Sequence, residues 1–325
     1  MTADLDIVAG TAELAAPAPG TDHPHVPVPT PSRWRDVFGQ IVRSWSGRIG
    51  LALATLIIGL AVFAPVIAPY EPNDVLTDPA ANERTLEKPC VHAFGCPDSE
   101  VQHLMGLDEN GRDEFSRVVF GARISLLAGA SAVALAVGVG TVIGLVAGFF
   151  GRRFDNVLMR CMDVLLSFPS LLLAILIVTV LGRGLINSVL AIAIVSVPAY
   201  ARVVRGQVLS VREQDFITAD RALGVRNSRL LFHRVFPNTL TPLIVQATLG
   251  FATAVLEIAG LGFLGLGVQP PDAEWGTMIA TAYRNIFNSP HLVFFPGVMI
   301  FLNVLAFNLL GDALRDALDP RSARR

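Results

Sequence analysis

Long apolar runs alternate with short charged segments along most of this chain. Charge-free stretches occur at Ile49 to Tyr70, Ile124 to Gly151, Val164 to Gly182, Gly184 to Ala201, Val235 to Leu256 and Asn285 to Gly311. Each supplies the roughly 17 to 25 residues that a tilted helix needs to cross about 30 Å of hydrocarbon. The runs are too long and too uniformly apolar for the alternating strands of a barrel, so the pattern predicts an all-α, polytopic membrane protein with six transmembrane helices. Pro169 and Pro198 fall inside the third and fourth runs, where kinks are expected.

The polar segments divide the rest. Residues 1–31 carry six prolines and almost no large apolar side chains, the composition of a disordered tail. Residues 32–70 are expected to form an interfacial helix followed by the first span. Within them Trp34, Val37, Phe38, Ile41, Val42 and Trp45 recur at helical spacing, with Arg33, Arg35 and Arg43 opposite. The first apolar run is too long and too late to be a signal-peptide core, and is expected to stay in the protein. Residues 71–120 form an external loop, 121–313 the core with five further spans, and 314–325 a second tail.

Composition supports this picture: 52% of residues are hydrophobic and 16% charged, where soluble domains carry roughly 25% charge. The net charge of -2 says little; the position of the charges says more. With the amino terminus in the cytoplasm, only seven of the 25 basic residues lie outside, namely Arg84, Lys88, Arg112, Arg117, Arg123, Arg183 and Arg284. The positive-inside rule favours that orientation, with both termini cytoplasmic.

The most basic segment between spans is 202–238, with seven arginines. Its interior predicts one helix from Glu213 to Leu223, ended by Gly224 in the left-handed conformation. A second is predicted from Arg229 to Phe236, capped by Ser228 and ended by Pro237. Such a segment is either a basic loop lying on anionic headgroups or a docking element for a soluble partner.

Outside, Cys90 and Cys96 share one short segment with His92. In an oxidising compartment a disulfide is expected ahead of a metal site. Cys161 is expected as a buried apolar filler. Glu257 is the single acid well inside a span-length apolar stretch, a position that calls for a cavity or a partner helix. The acidic, glycine-bearing run at 106–113 lacks the ligand spacing of a calcium loop.

Several of these segments resemble one family. Thr218-Ala219-Asp220-Arg221-Ala222-Leu223-Gly224, with Pro237 following, is similar to the Glu-Ala-Ala-x-x-x-Gly loop of bacterial ABC importer permeases. Thr218 stands in place of Glu, Asp220 in place of the second Ala, and Arg234 where an aliphatic residue is usual. Gly106-Leu107-Asp108 to Gly111-Arg112-Asp113, then Gly121-Ala122-Arg123-Ile124-Ser125, resembles the start of the core in the C-type subunit of dipeptide and oligopeptide importers. Phe263-Leu264-Gly265-Leu266-Gly267-Val268-Gln269-Pro270-Pro271 resembles the same subunit.

The resemblance implies the type I ABC importer permease fold and a coupling helix that sits in a groove of an ATPase. Asp215, Thr218, Ala219, Asp220, Arg221, Ala222, Leu223, Gly224 and Pro237 would then be the coupling residues. It also implies a homologous second permease, one or two cytoplasmic ATPases and an extracytoplasmic solute-binding protein. The site would be the bacterial cytoplasmic membrane, and no nucleic acid is involved. The chain has no phosphate-binding loop, its single lysine being Lys88 in the external loop. It is therefore expected to be no enzyme and to hold no cofactor, with ATP and Mg²⁺ bound by the partner ATPase. Di- or oligopeptides are the expected substrate, with nickel or another small solute as the alternative. An ion-coupled secondary transporter is the rival class, supported only by Glu257; no span carries a hydrolase motif.

Overall fold

The computed structural model describes residues 33–76, 85–92, 95–96 and 102–318. The proline-rich tail expected at 1–31 and the end of the second tail lie outside them. Helix α1 (Arg33–Arg43) and α2 (Trp45–Val62) are joined at Ser44, whose hydroxyl accepts the Gly47 N–H at 3.0 Å and caps α2. Helix α1 occupies the segment expected to form the interfacial helix. It buries Val37 against the bundle and leaves Phe38 and Val42 exposed, and the Arg48 guanidinium stacks on the Trp45 ring at 4.5 Å. A short α3 (Ala64–Ile67) follows, then the segment expected as the external loop.

Helix α4 (Glu114–Phe150) has 37 residues, roughly 55 Å at 1.5 Å per residue, so it projects well beyond the hydrocarbon. It packs lengthwise on α7 (Leu185–Arg212), and together they form the centre of the larger core. The close approach has a simple cause. Gly140, Gly144 and Gly148 line one face of α4 at four-residue spacing. A Cβ at Gly144 would come within 2.6 Å of the Ala201 carbonyl oxygen, and one at Gly148 within 2.7 Å of Val208. Pro198 lies inside α7 without ending it.

The third span departs from its expected form. Helix α5 (Arg152–Leu166) and α6 (Ser170–Leu181) meet at a 92° bend, so Pro169 breaks the chain where a kink was predicted. Pro169 cannot donate the hydrogen bond that would continue α5, and Ser167 already turns back onto the Val164 carbonyl. With 12 residues, α6 covers only about 18 Å. Cys161 is an exposed thiol on α5, not a buried filler, because α5 buries little beyond Met162.

Helix α8 (Asp215–Ala222) and α9 (Asn227–Leu230) follow α7, and α9 runs through a π-turn at Leu231–Val235 into α10 (Phe236–Phe263). Helix α11 (Trp275–Ala282) and α12 (His291–Leu318) complete the chain. Helix α12 packs on α2 and α10, around the second core. Five helices are long and apolar enough to cross a membrane, and the bent α5–α6 pair makes six. Among the described residues β-structure is limited to isolated bridges between residues 75 and 113.

Candidate functional site

The segment between α7 and α10 is built on a small buried base. Ile217 of α8, Leu230 of α9 and Val235 of the π-turn are fully buried and join the main core. With Ile217 turned inward, the opposite side of α8 faces out: Phe216 is 41% exposed and Leu223 81%, and Ala219 and Ala222 are also exposed. Gly224 takes φ +75° at the end of α8, and Val225 donates back to the Asp220 carbonyl, so the chain reverses as expected. Two residues that departed from the family pattern meet here: Arg234 donates from Nε to Asp220 Oδ2 at 2.9 Å.

The second predicted helix is different from its expectation. It starts at Asn227 with Arg226 at the N-cap, Ser228 makes no cap, and Pro237 does not end it. Asn227 to Phe263 is one continuous helical stretch. The physical reason is the π-turn, where Phe236 bonds back to Leu231 and the hydrogen-bond register changes, so that Pro237 occupies the first turn of α10, where its missing N–H costs least.

Above this segment α7 is clamped to its neighbours. Arg205 donates from Nε and Nη2 to the Asp155 carboxylate of α5, the latter bond at 2.7 Å, and Arg202 reaches Asp163 at 2.7 Å. Arg212 Nη1 donates to the Gly148 and Phe149 carbonyls at 2.7 and 3.1 Å, satisfying the open end of α4. The arginines of 202–238 thus divide between clamps and an exposed surface, a division invisible in their spacing.

Toward the start of α4, two motifs that lie about 150 residues apart form one site. Glu274 is fully buried; its carboxylate accepts the N–H groups of Gly276 and Thr277 at 2.9 Å, capping α11, and the Ser125 hydroxyl donates to it at 3.3 Å. Trp275 is also fully buried, donates from Nε1 to the Val118 carbonyl at 3.0 Å, and lies over Gly121 of α4. Burial pushes the Glu274 carboxyl above the usual carboxylate range, against hydrogen bonds that pull it down. Sequence reading passed over Glu274. Its signal was the position directly before Trp275-Gly276, where an acid caps a helix.

The run 106–113 folds against the start of α4. Asp108 takes Arg112 Nε at 2.7 Å, Asp113 caps α4 through the Ser116 N–H at 2.8 Å, and Arg117 donates to the Pro72 carbonyl at 2.8 Å and to Pro271 at 3.3 Å. These contacts hold the run against the scaffold, and no cluster of three or more metal-ligating side chains occurs among the described residues.

The sequence matches two family models. Residues 140–324 match a binding-protein-dependent transport system inner membrane component, and residues 32–89 match the N-terminal transmembrane domain of oligopeptide transport permease C. The chain belongs to this transport family. It is 44% identical over 313 residues to the dipeptide transport system permease protein DppC of Alkalihalophilus pseudofirmus, covering 95% of this chain and 96% of that one. It is 47% identical over 291 residues to the di/tripeptide permease DppC of Pseudomonas aeruginosa, covering 90% and 93%. A glutathione transport permease, GsiD of Escherichia coli, is 41% identical over 288 residues, covering 89% and 90%. The fold is similar to a chain in an inward-facing structure of the MetNI methionine ABC transporter, with TM-score 0.52, 17% identity and coverage of 62% of this chain and 97% of that one.

The protein is a multi-pass permease subunit of the bacterial inner membrane, not an enzyme. In this permease Glu257 lies on α10, two turns before its end, half-buried and near the Ser170 side chain at the α5–α6 bend. Ser170, Leu171 and Leu172 are exposed beside it. Cys90 and Cys96 stand with Cα atoms 5.3 Å apart, the spacing of a disulfide.

Proposed function

We propose that this permease moves di- or oligopeptides across the cytoplasmic membrane in an ATP-driven importer, coupled to a separate ATPase through α8. The observation that carries this reading is the exposed face of α8, with Phe216, Ala219, Ala222 and Leu223 outward on a helix anchored by buried Ile217. A small-residue face flanked by two large apolar side chains fits a groove in another protein better than it fits water. The peptide assignment is supported by the relatives that carry dipeptides, di- and tripeptides and glutathione.

In this scheme a homologous second permease completes the pathway, one or two ATPases hold ATP and Mg²⁺, and an external binding protein delivers substrate. Both termini face the cytoplasm. Asp215, Thr218, Ala219, Asp220, Arg221, Ala222, Leu223, Gly224 and Pro237 make up the coupling surface, Glu257 faces the pathway or the second permease, and Cys90 and Cys96 staple the external loop. ATP-driven closure of the ATPases would move α8 as a lever, with the clamps of α7 carrying the motion to α4 and α5.

The test uses proteoliposomes containing both permeases, the ATPase and the binding protein. Gly224 sits in the left-handed region with open space around it, so Gly224→Val adds strain of about 1–2 kcal/mol from the backbone alone. Gly224→Val and Ala219→Arg are expected to abolish substrate-stimulated ATP hydrolysis and uptake at near-normal membrane levels, and Arg226→Ala to do far less. Normal coupling in the first two variants overturns the role of α8. Uptake of di-, tri- and longer peptides compared with nickel identifies the substrate.

A further inference from the structure

An apolar groove of about 460 Å³ opens on the membrane face between four helices. Ile58 and Val62 of α2 and Leu127 of α4 form its walls, and Phe251 of α10 and Phe307 of α12, with ring centroids 4.2 Å apart, form its floor. Arg123 stands at one end and is the single charged residue lining it. It is exposed and has no hydrogen bond or ion pair among the described residues.

Depth decides what this arrangement can hold. Arg123 directly precedes the apolar run that begins at Ile124, and it lies beside the outer end of α2. Phe251 is twelve residues before the end of α10, roughly 18 Å along the helix, close to the bilayer midplane. The groove therefore runs from the headgroup level to the membrane centre, the path of one acyl chain. Lipid tails gain no hydrophobic energy by leaving other tails, so apolar fit alone would not select an occupant. A guanidinium at the mouth does, because it donates two parallel hydrogen bonds to a phosphate.

We propose that this groove binds one glycerophospholipid of the outer leaflet, its phosphate on Arg123 and one acyl chain laid along Leu127 to the floor at Phe251 and Phe307. The leaflet rests on the orientation given above, while the site itself does not. A bound lipid here would tie α2 to α4 and α10 where they part.

The experiment is native mass spectrometry of the assembled permease pair with its ATPase, released from nanodiscs of phosphatidylglycerol or of phosphatidylcholine. Wild type is expected to retain one phospholipid of either kind, since both carry the phosphate. Arg123→Gln should lower that retention about tenfold, the equivalent of about 1.4 kcal/mol. Leu127→Trp should fill the groove and remove the lipid, and Leu56→Trp, exposed on α2 outside the groove, should leave it in place. Equal retention in all four proteins overturns the site, as does a groove filled by detergent regardless of Arg123. Cross-linking of Leu127→Cys to the second permease would show that a protein helix covers the groove, and also overturns it. None of these readouts depends on transport, so they stand apart from the coupling test.

Discussion

Asp220 and Arg234 show how two residues that each look out of place can explain one another. Each alone would leave a charge beside a surface meant for small and apolar side chains. Together they form a 2.9 Å bond that joins α8 to the π-turn, with Arg234 56% exposed and Asp220 17%. A pair this open is worth at most about 1 kcal/mol. Its value lies in fixing the angle of α8 rather than in overall stability. We predict that Asp220→Ala and Arg234→Ala each weaken substrate-stimulated ATP hydrolysis by a few fold, and that the double variant is no worse than either single one. The reversed pair, Asp220→Arg with Arg234→Asp, should recover most of the loss. Additive losses in the cycle would show that the two side chains act separately.

At the scale of elements, α11 depends on a buried acid. Glu274 caps the helix while Trp275 and Gly276 press it against α4 and α10; a Cβ at Gly276 would lie 2.0 Å from the Ala259 carbonyl oxygen. Burial raises the Glu274 carboxyl above its ordinary range, so the folded state holds its proton more tightly than the unfolded state does. Its contribution is then fully present below the ordinary carboxylate range and is lost as pH rises through the raised value. Glu274→Gln removes the titration and weakens the cap. The thermal stability of wild type is therefore expected to exceed that of the variant most at about pH 5 and least at about pH 8. A gap that widens with rising pH would mean that the ionised form is the favoured one. The same scale explains α4 and α7: three glycines at four-residue spacing let two backbones meet, and Arg212 at the end of α7 closes the end of α4.

For the whole molecule, the α5–α6 bend leaves one flank uncovered. Val164, Phe168, Leu172, Leu176 and Val180 are exposed there, next to Glu257 and Ser170. An acid on that flank, near a hydroxyl, suits a face that meets the second permease or the pathway better than one that meets lipid. Glu257→Gln preserves the shape and Glu257→Leu removes the capacity for hydrogen bonding as well. The leucine variant is expected to lower co-purification of the second permease or uptake, with the glutamine variant intermediate. Wild-type assembly and uptake in both would remove Glu257 from the site.

What the amino-acid sequence determined by itself was everything that depends on sums along the chain. The six apolar runs, the charge asymmetry across them, the interfacial helix and the location of the loop between α7 and α10 were all legible, because hydropathy and amphipathic period act over neighbouring residues. The turn at Gly224 was legible for the same local reason. Tertiary structure alone decided where proline would break a helix and where it would not. Pro169 ends α5, whereas Pro237 enters a helix already under way through a π-turn, and nothing local distinguishes them. Only packing could bring Ser125 to Glu274, 149 residues away, and only the turn between α8 and the π-turn could bring Arg234 to Asp220, 14 residues away. Exposure of Cys161 followed in the same way, from a helix that the bend turned away from the core.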